Sequence, residues 1–251
     1  MLFENTIIGP IHSRRLGNSL GVNLLPLQHK YCSYDCIYCE CGWNKDGRGD
    51  SVLPDAGRVS RMLEKKLKEL LQEGTALDSI TFSGDGEPTL NPEFPQIIDE
   101  TLALRDKYFP TAKVSVLSNA TRVHIPEIFE ALKKVDNPIM KLDAPTCELA
   151  SRINNPAPGY DVDRVVEALK QFDGNFVLQT IFLKSNDFDS SSPEVIGPWK
   201  TIVRSLSPRE IMVYTIDRPT PEEGLKKFSV QQMEMLVSDL IAEGFHIRIN
   251  G

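Results

Sequence analysis

Asp78-Ser-Ile-Thr-Phe-Ser83 runs straight into Gly84-Asp-Gly-Glu-Pro-Thr-Leu90, and further on comes Lys113-Val-Ser-Val-Leu-Ser118. The first and last runs read as strands, the last by its alternation of polar and apolar residues. Between them Pro92–Tyr108 reads as a helix with Pro92 in its first turn. This is a strand–helix–strand unit, and the pattern extends in both directions. Upstream, Leu20–Leu25 is a short apolar run. Arg58–Gln72 carries Met62, Leu63, Leu67, Leu70 and Leu71 on one helical stripe. Downstream, helices are predicted over Ile125–Lys134, Asp161–Phe172, Glu194–Leu206 and Ser229–Glu243, with Ser229 as a cap. Strands are predicted over Pro138–Asp143, Asn175–Leu183, Glu210–Ile216 and Phe245–Ile249. Strands alternating with helices point to parallel βαβ units, about six of them plus a terminal strand. A complete eight-repeat barrel takes ~250 residues, and here a long N-terminal stretch uses up chain. The predicted class is therefore α/β: a partial (βα)6 TIM-like barrel of parallel strands with outer helices. No linker, repeat or low-complexity tract divides the chain, so residues 1–251 read as one domain. The polar loop Lys184–Pro193 reads as a mobile segment or a substrate lid.

A second stretch, Cys32-Ser-Tyr-Asp-Cys36-Ile-Tyr-Cys39, follows the first parallel strand; with Cys41 it forms the loop 32–41. Four of the chain's five cysteines lie there. Secreted scaffolds spread their cysteines to close loops, whereas this clustering suits a metal site in a reducing compartment. Three soft thiolates in one loop suit an iron–sulfur cluster. A [4Fe–4S] cluster normally takes four cysteines, so three would leave one iron open to an outside ligand. A Zn site made by Cys32, Cys36, Cys39 and Cys41 is the competing reading, although one residue between Cys39 and Cys41 cramps a tetrahedron. Cys41 then needs no ligand role, and the isolated Cys147 reads as a small apolar side chain.

Composition narrows the classes. The chain has 251 residues, is 41% hydrophobic and 25% charged, and carries a net charge of -7. That profile suits a globular protein and gives no support to a general nucleic-acid-binding surface. No run approaches the ~18 apolar residues of a membrane span, and the N-terminus lacks signal-peptide features. The expectation is a cytoplasmic protein with no membrane partner. The four histidines show no metal spacing.

In parallel α/β folds ligands sit beyond the carboxyl ends of the strands. Read there, the chain is unusually polar. Gly84, Asp85, Gly86 and Glu87 combine close backbone approach with a carboxylate suited to an ammonium group. Ser118 and Asn119 suit a ribose or carboxylate, or equally a turn. Alternation puts Lys141 and Asp143 on one face, either as an ion pair or as ligand-binding groups. Asp143 is the stronger functional candidate because it stands at the strand end, and Lys141 is a candidate proton donor or substrate anchor. Gln179 sits in an apolar run and needs partners. Tyr214, Thr215 and Arg218 are candidates for adenine or substrate contacts, or a satisfied polar rim. The adjacent Arg14 and Arg15 invite a phosphate or carboxylate role, against a solvated surface.

These pieces, in order, resemble the radical S-adenosylmethionine (SAM) superfamily: Ser13-Arg-Arg-Leu-Gly17, Cys32 to Cys39, Gly84-Asp-Gly-Glu-Pro-Thr-Leu90, Lys141-Leu-Asp-Ala144 and Tyr214-Thr-Ile-Asp-Arg-Pro219. The resemblance covers most of the chain and is nearest the branch that includes wyosine-base tRNA enzymes. It implies that Cys32, Cys36 and Cys39 hold a [4Fe–4S] cluster whose open iron is chelated by SAM. It implies that Tyr38 lies near the adenine and that the Gly84–Glu87 loop holds the SAM amino group. The implied activity is reductive cleavage of SAM to a 5′-deoxyadenosyl radical that takes hydrogen from a substrate. A reducing partner such as flavodoxin or ferredoxin is implied, and the substrate is a small molecule, a protein or tRNA. The sequence departs from the wyosine enzymes in having no cysteine before Cys32. A glycyl-radical-enzyme activase and a tRNA-base modification enzyme are the alternatives within the class. A SAM-independent iron–sulfur electron carrier and a Zn-stabilised binding module are those outside it.

Overall fold

The computed structural model describes residues 2–13, 16–46 and 52–251. The chain divides into two compact units. The first comprises Met1–Ser33, Asn44–Ser118 and Ile125–Pro138. Its strands β1 (Ile7–Ser13), β2 (Gly17–Val22), β3 (Ser79–Phe82) and β4 (Lys113–Ser118) lie side by side in that order. The last three are parallel, with Leu20 opposite Ile80 and Ile80 opposite Val114. β1 is an antiparallel addition on β2 that the sequence reading missed.

Alternation along these strands decides the layering. Leu20, Val22, Ile80, Phe82, Val114 and Val116 are all fully buried. The alternate positions carry a ladder of buried hydroxyls: Ser19 and Thr81 at 2.7 Å, Ser79 and Thr81 at 3.0 Å, Ser79 and Ser115 at 3.1 Å. Each small hydroxyl finds a partner on the neighbouring strand, so a polar stripe is buried without unpaired groups. Helix α1 (Ala56–Gln72) is capped by Asp55, whose carboxylate accepts from Arg58 N at 2.7 Å. It buries Val59, Leu63, Leu67 and Leu70, a stripe at helical spacing. Helix α2 (Phe94–Tyr108) packs on α1, and α3 (Pro126–Lys134) on α2. The predicted start of α2 at Pro92 is corrected: the helix begins two residues later with Pro95 in its first turn, and Asn91 Oδ1 accepts from Glu93 N.

The second unit comprises Tyr34–Trp43, Asn119–His124 and Ile139–Gly251. It holds β5 (Asn137–Lys141) from Ile139 on, α4 (Cys147–Ile153), α5 (Val162–Lys170), β6 (Val177–Ile181), β7 (Leu183–Lys184), α6 (Pro193–Leu206), β8 (Glu210–Tyr214), β9 (Lys226–Lys227), α7 (Val230–Ala242) and β10 (Ile247–Asn250). Strands β5, β6, β8 and β10 are parallel neighbours in that order. Ser229 forms a capping box with Gln232 at the start of α7, as its sequence suggests. Trp199 of α6 donates its indole N–H towards Thr180 Oγ1 at 3.2 Å, which marks the Thr180 side of β6 as helix-covered. Lys141, Gln179 and Met212 occupy one register row on the other side.

Two features of this unit differ from expectation. Helix α4 was not anticipated; Thr146 caps it by accepting from Leu149 N at 3.2 Å. The loop 184–193, expected to be mobile or a lid, is knitted by its own groups. Lys184 pairs with Asp189 at 2.7 Å, Ser185 N donates to Phe188 O at 2.7 Å, and Phe188 is buried. No helix among the described residues is long and apolar enough to cross a membrane.

Candidate active site

In the first unit the glycine loop after β3 is held against the residues that lead into the cysteines. Tyr31 and Gly86 form a parallel bridge, with Tyr31 N donating to Asp85 O at 2.8 Å and Glu87 N to Tyr31 O at 3.1 Å. Gly86 has φ +146°, and a Cβ there would stand 1.9 Å from Tyr31 O. Only glycine permits this approach. Gly84 is equally confined, since a Cβ would meet Asn23 Oδ1 at 2.2 Å.

The two acids of the loop have different surroundings. Glu87 is 1% exposed, and its Oε1 accepts from Thr89 N (3.1 Å), Thr89 Oγ1 (2.6 Å) and Ser118 Oγ (2.9 Å). Ser118 thus joins Glu87, as a positioning partner. Asp85, fully buried, accepts from Phe3 N at 2.9 Å and from Asn23 Nδ2 at 3.3 Å. Its carboxylate anchors the N-terminal segment. Cys32 is partly exposed, and its carbonyl accepts from Asn44 Nδ2 at 3.2 Å.

In the second unit a dense polar cluster lies on the cysteine loop. Asp143 follows β5 with its side chain fully buried, and its Oδ1 accepts from Ile181 N at 3.0 Å. Its Oδ2 accepts from Tyr38 OH and from Asn154 Nδ2, the latter at 2.8 Å. Lys141 Nζ lies 3.6 Å from the same oxygen and donates to Tyr214 OH. The ammonium sits over the rings of Tyr38 and Tyr214, 4.9 Å from each centroid. Burial alone would lower the lysine pKa, but the Asp143 carboxylate, then Tyr214 and Cys36, more than offset it and hold the pKa above the usual value. The raised pKa favours the charged ammonium beside the Asp143 carboxylate.

Cys36 is buried, and burial pushes its thiol up to about 11 while Lys141 and an Asn154 hydrogen bond pull against that shift. Tyr38 is raised well above its ordinary value, first by burial and then by the Asp143 charge. Cys39 and Cys41 are partly exposed and Cys147 is exposed; none is in a disulfide. Among the described residues no three His, Cys, Asp or Glu side chains gather closely enough to hold a single metal ion.

The structure therefore brings Tyr38, Lys141, Asp143 and Tyr214 into one cluster, and Glu87 and Ser118 into another. Asn119 spends its side-chain oxygen on Thr121 N (3.1 Å) and Thr121 Oγ1 (2.8 Å), the turn reading of that residue. Thr215 is buried and donates to Phe182 O, and Arg218 pairs with Glu40 at 2.7 Å. Arg14 and Arg15 lie outside the described residues. Asn154 was missed. It belongs to no strand end, and only its place after α4 brings it to Cys36.

Cys32, Cys36 and Cys39 are thiols outside any disulfide, and cysteine thiolates are the soft ligands that iron–sulfur centres take. Gln179 is 5% exposed, yet its buried Nε2 has no hydrogen-bond partner among the described residues. Such a buried donor is what a bound polar group would satisfy.

The family model described as the radical SAM superfamily matches residues 29–187, and the chain belongs to that superfamily. The family uses a [4Fe–4S] cluster and SAM. The chain is 32% identical to a Brachyspira hyodysenteriae protein named GTPase Obg, covering 91% of this chain and 32% of that longer protein. It is 27% identical to a Helicobacter pylori protein named UPF0026, covering 97% of this chain and 75% of that one. A radical SAM methyltransferase structure from Sphaerobacter thermophilus superposes with a TM-score of 0.67 at 16% identity, covering 92% of this chain and 65% of that one. The fold is thus the partial barrel of parallel strands expected from the sequence.

Proposed function

We propose that this chain is a radical SAM enzyme in which Cys32, Cys36 and Cys39 hold the [4Fe–4S] cluster and the Gly84–Glu87 loop receives SAM. When bound, these cofactors supply reductive cleavage of SAM to methionine and a 5′-deoxyadenosyl radical, which takes a hydrogen atom from the substrate. The observation that carries the reading is the buried Tyr38–Lys141–Asp143–Tyr214 cluster packed on Cys36. Burying a charged pair carries a desolvation cost, and strongly perturbed titratable groups cluster at functional sites.

The chain's own residues then have separable tasks. The thiols lose their protons on ligation, so centre binding releases protons. Gly86 brings backbone groups close, and Glu87 presents a carboxylate to the SAM ammonium, positioned by Ser118 and Thr89. Tyr38 borders the ligand with its ring and is fixed by Asp143. Asp143 holds Lys141, which anchors an anionic group of SAM or substrate. Gln179 on β6 and Tyr214 at the end of β8 complete the proposed binding set, while Asp85 and Asn119, placed in it from the sequence, spend their side-chain oxygens on Phe3 N and on Thr121. A small electron-transfer protein of the flavodoxin or ferredoxin kind supplies the electron. The wyosine-base branch rests on the sequence pieces alone.

The test is anaerobic reconstitution with iron and sulfide, reduction, and EPR with and without SAM, with 5′-deoxyadenosine assayed in the same sample. A SAM-dependent spectrum with deoxyadenosine formed is expected. A cluster indifferent to SAM with no deoxyadenosine would mean an electron carrier, and bound Zn without sulfide a structural site.

Glu87→Ala is expected to keep the cluster and weaken SAM binding. Loss of a charge-assisted hydrogen bond of about 1.5–3 kcal/mol corresponds to roughly 10- to 100-fold in affinity. Equilibrium dialysis of reconstituted protein measures this, and unchanged affinity would remove Glu87 from the SAM site.

A further inference from the structure

Asn154 is 2% exposed and ends α4. Its Nδ2 lies 3.4 Å from Cys36 Sγ, 3.0 Å from Tyr38 OH and 2.8 Å from Asp143 Oδ2. Backbone hydrogen bonds bracket Cys36 on both sides: Asp35 N donates to Asn154 O at 2.9 Å and Ile37 N to Ile153 O at 3.1 Å. They pin the loop to the end of α4 with the cysteine sulfur within reach of the amide. The amide is itself fixed, because the carboxylate that accepts from it is anchored by Ile181 N.

We propose that Asn154 is a positioning residue for the iron–sulfur centre: its amide donates an N–H···S hydrogen bond to the Cys36 thiolate and raises the centre's reduction potential. This rests on the proposed function. Reduction adds negative charge to the centre and its sulfur ligands. A fixed donor on a ligand sulfur stabilises the more negative state more than the oxidised one, and hydrogen bonds to the sulfurs are among the determinants of cluster potential. The other charges facing Cys36 are Lys141, which acts in the same direction, and Asp143, which opposes it. By holding the Asp143 carboxylate, the same amide also blunts that opposing charge.

The experiment compares reconstituted wild-type protein with Asn154→Leu, which has similar volume and no donor. Iron and sulfide content, the EPR-monitored redox titration and pulsed EPR in D2O are recorded for each. Asn154→Leu is expected to bind the same iron and sulfide. Its ratio of reduced to oxidised cluster at fixed poise is expected to be about tenfold lower, which is a 59 mV shift for one electron. Wild-type protein is expected to show an exchangeable deuteron strongly coupled to the cluster, absent from the variant. A merely structural Asn154 would change cluster yield and leave the potential of assembled clusters alone. Unchanged potential, or no coupled deuteron in the wild type, overturns the proposal. The deuteron measurement needs no variant, so it decides even if Asn154→Leu misfolds. A wild-type protein that takes up no iron or sulfide overturns the proposed function itself, and this inference with it.

Discussion

Replacing any one of Cys32, Cys36 and Cys39 with alanine is expected to abolish cluster assembly, while Cys41→Ala leaves it intact. A cluster with three protein ligands has no spare thiolate, so loss of one leaves two irons exposed and the centre falls apart. Cys36 is the most demanding of the three. It is buried and its thiol is raised to about 11, so its ionisation must be driven by ligation and by the Lys141 and Asn154 contacts. Cys41 lies two residues past Cys39, and the sequence assigns it no iron. Iron and sulfide analysis of the four reconstituted variants, with EPR of the reduced samples, reads the result. If Cys41→Ala also loses the cluster, four thiolates share the centre and the open iron that SAM chelation requires does not exist.

Asp143→Ala is expected to destabilise the chain before any cofactor is added. The carboxylate accepts from Ile181 N, Tyr38 OH and Asn154 Nδ2 and sits 3.6 Å from Lys141. Removing it leaves a mostly buried ammonium without its counter-charge and takes the carboxylate acceptor from Ile181 N and Tyr38 OH, while Asn154 Nδ2 keeps Cys36 Sγ and Tyr38 OH. Removing one member of a buried pair costs about 3–5 kcal/mol. Lys141→Met combined with Asp143→Leu removes both charges and is expected to recover part of that loss. Urea unfolding of the cluster-free protein measures both. A single-variant loss below about 1 kcal/mol would show that the pair is solvated like a surface ion pair. It would also remove the argument that the pair is maintained for function.

Much of this was legible in the sequence, and the reason is periodicity. Ser79-Ile-Thr-Phe82 and Lys113–Ser118 show their two faces directly, and a parallel sheet must put its ligand-facing residues at the strand ends. Lys141 with Asp143, and Glu87 after the glycine turn, follow from that rule. What escaped has no period. β1 is interrupted by a register shift between Ile8 and Ile11, which breaks the alternation. Helix α4 is two turns long, too short for a stripe, although Thr146 three residues before Leu149 was a capping signal. Asn154 reaches Cys36 across 118 residues of chain, a relation only packing creates.

The hold of Asp85 on Phe3 has a practical side. Asn23 N donates to Thr6 O and Gln28 N to Phe3 O, so the first residues are laced to the segment that leads towards the cysteines. Removing residues 1–5 would take the Phe3 N donor from a fully buried carboxylate one position from Gly86.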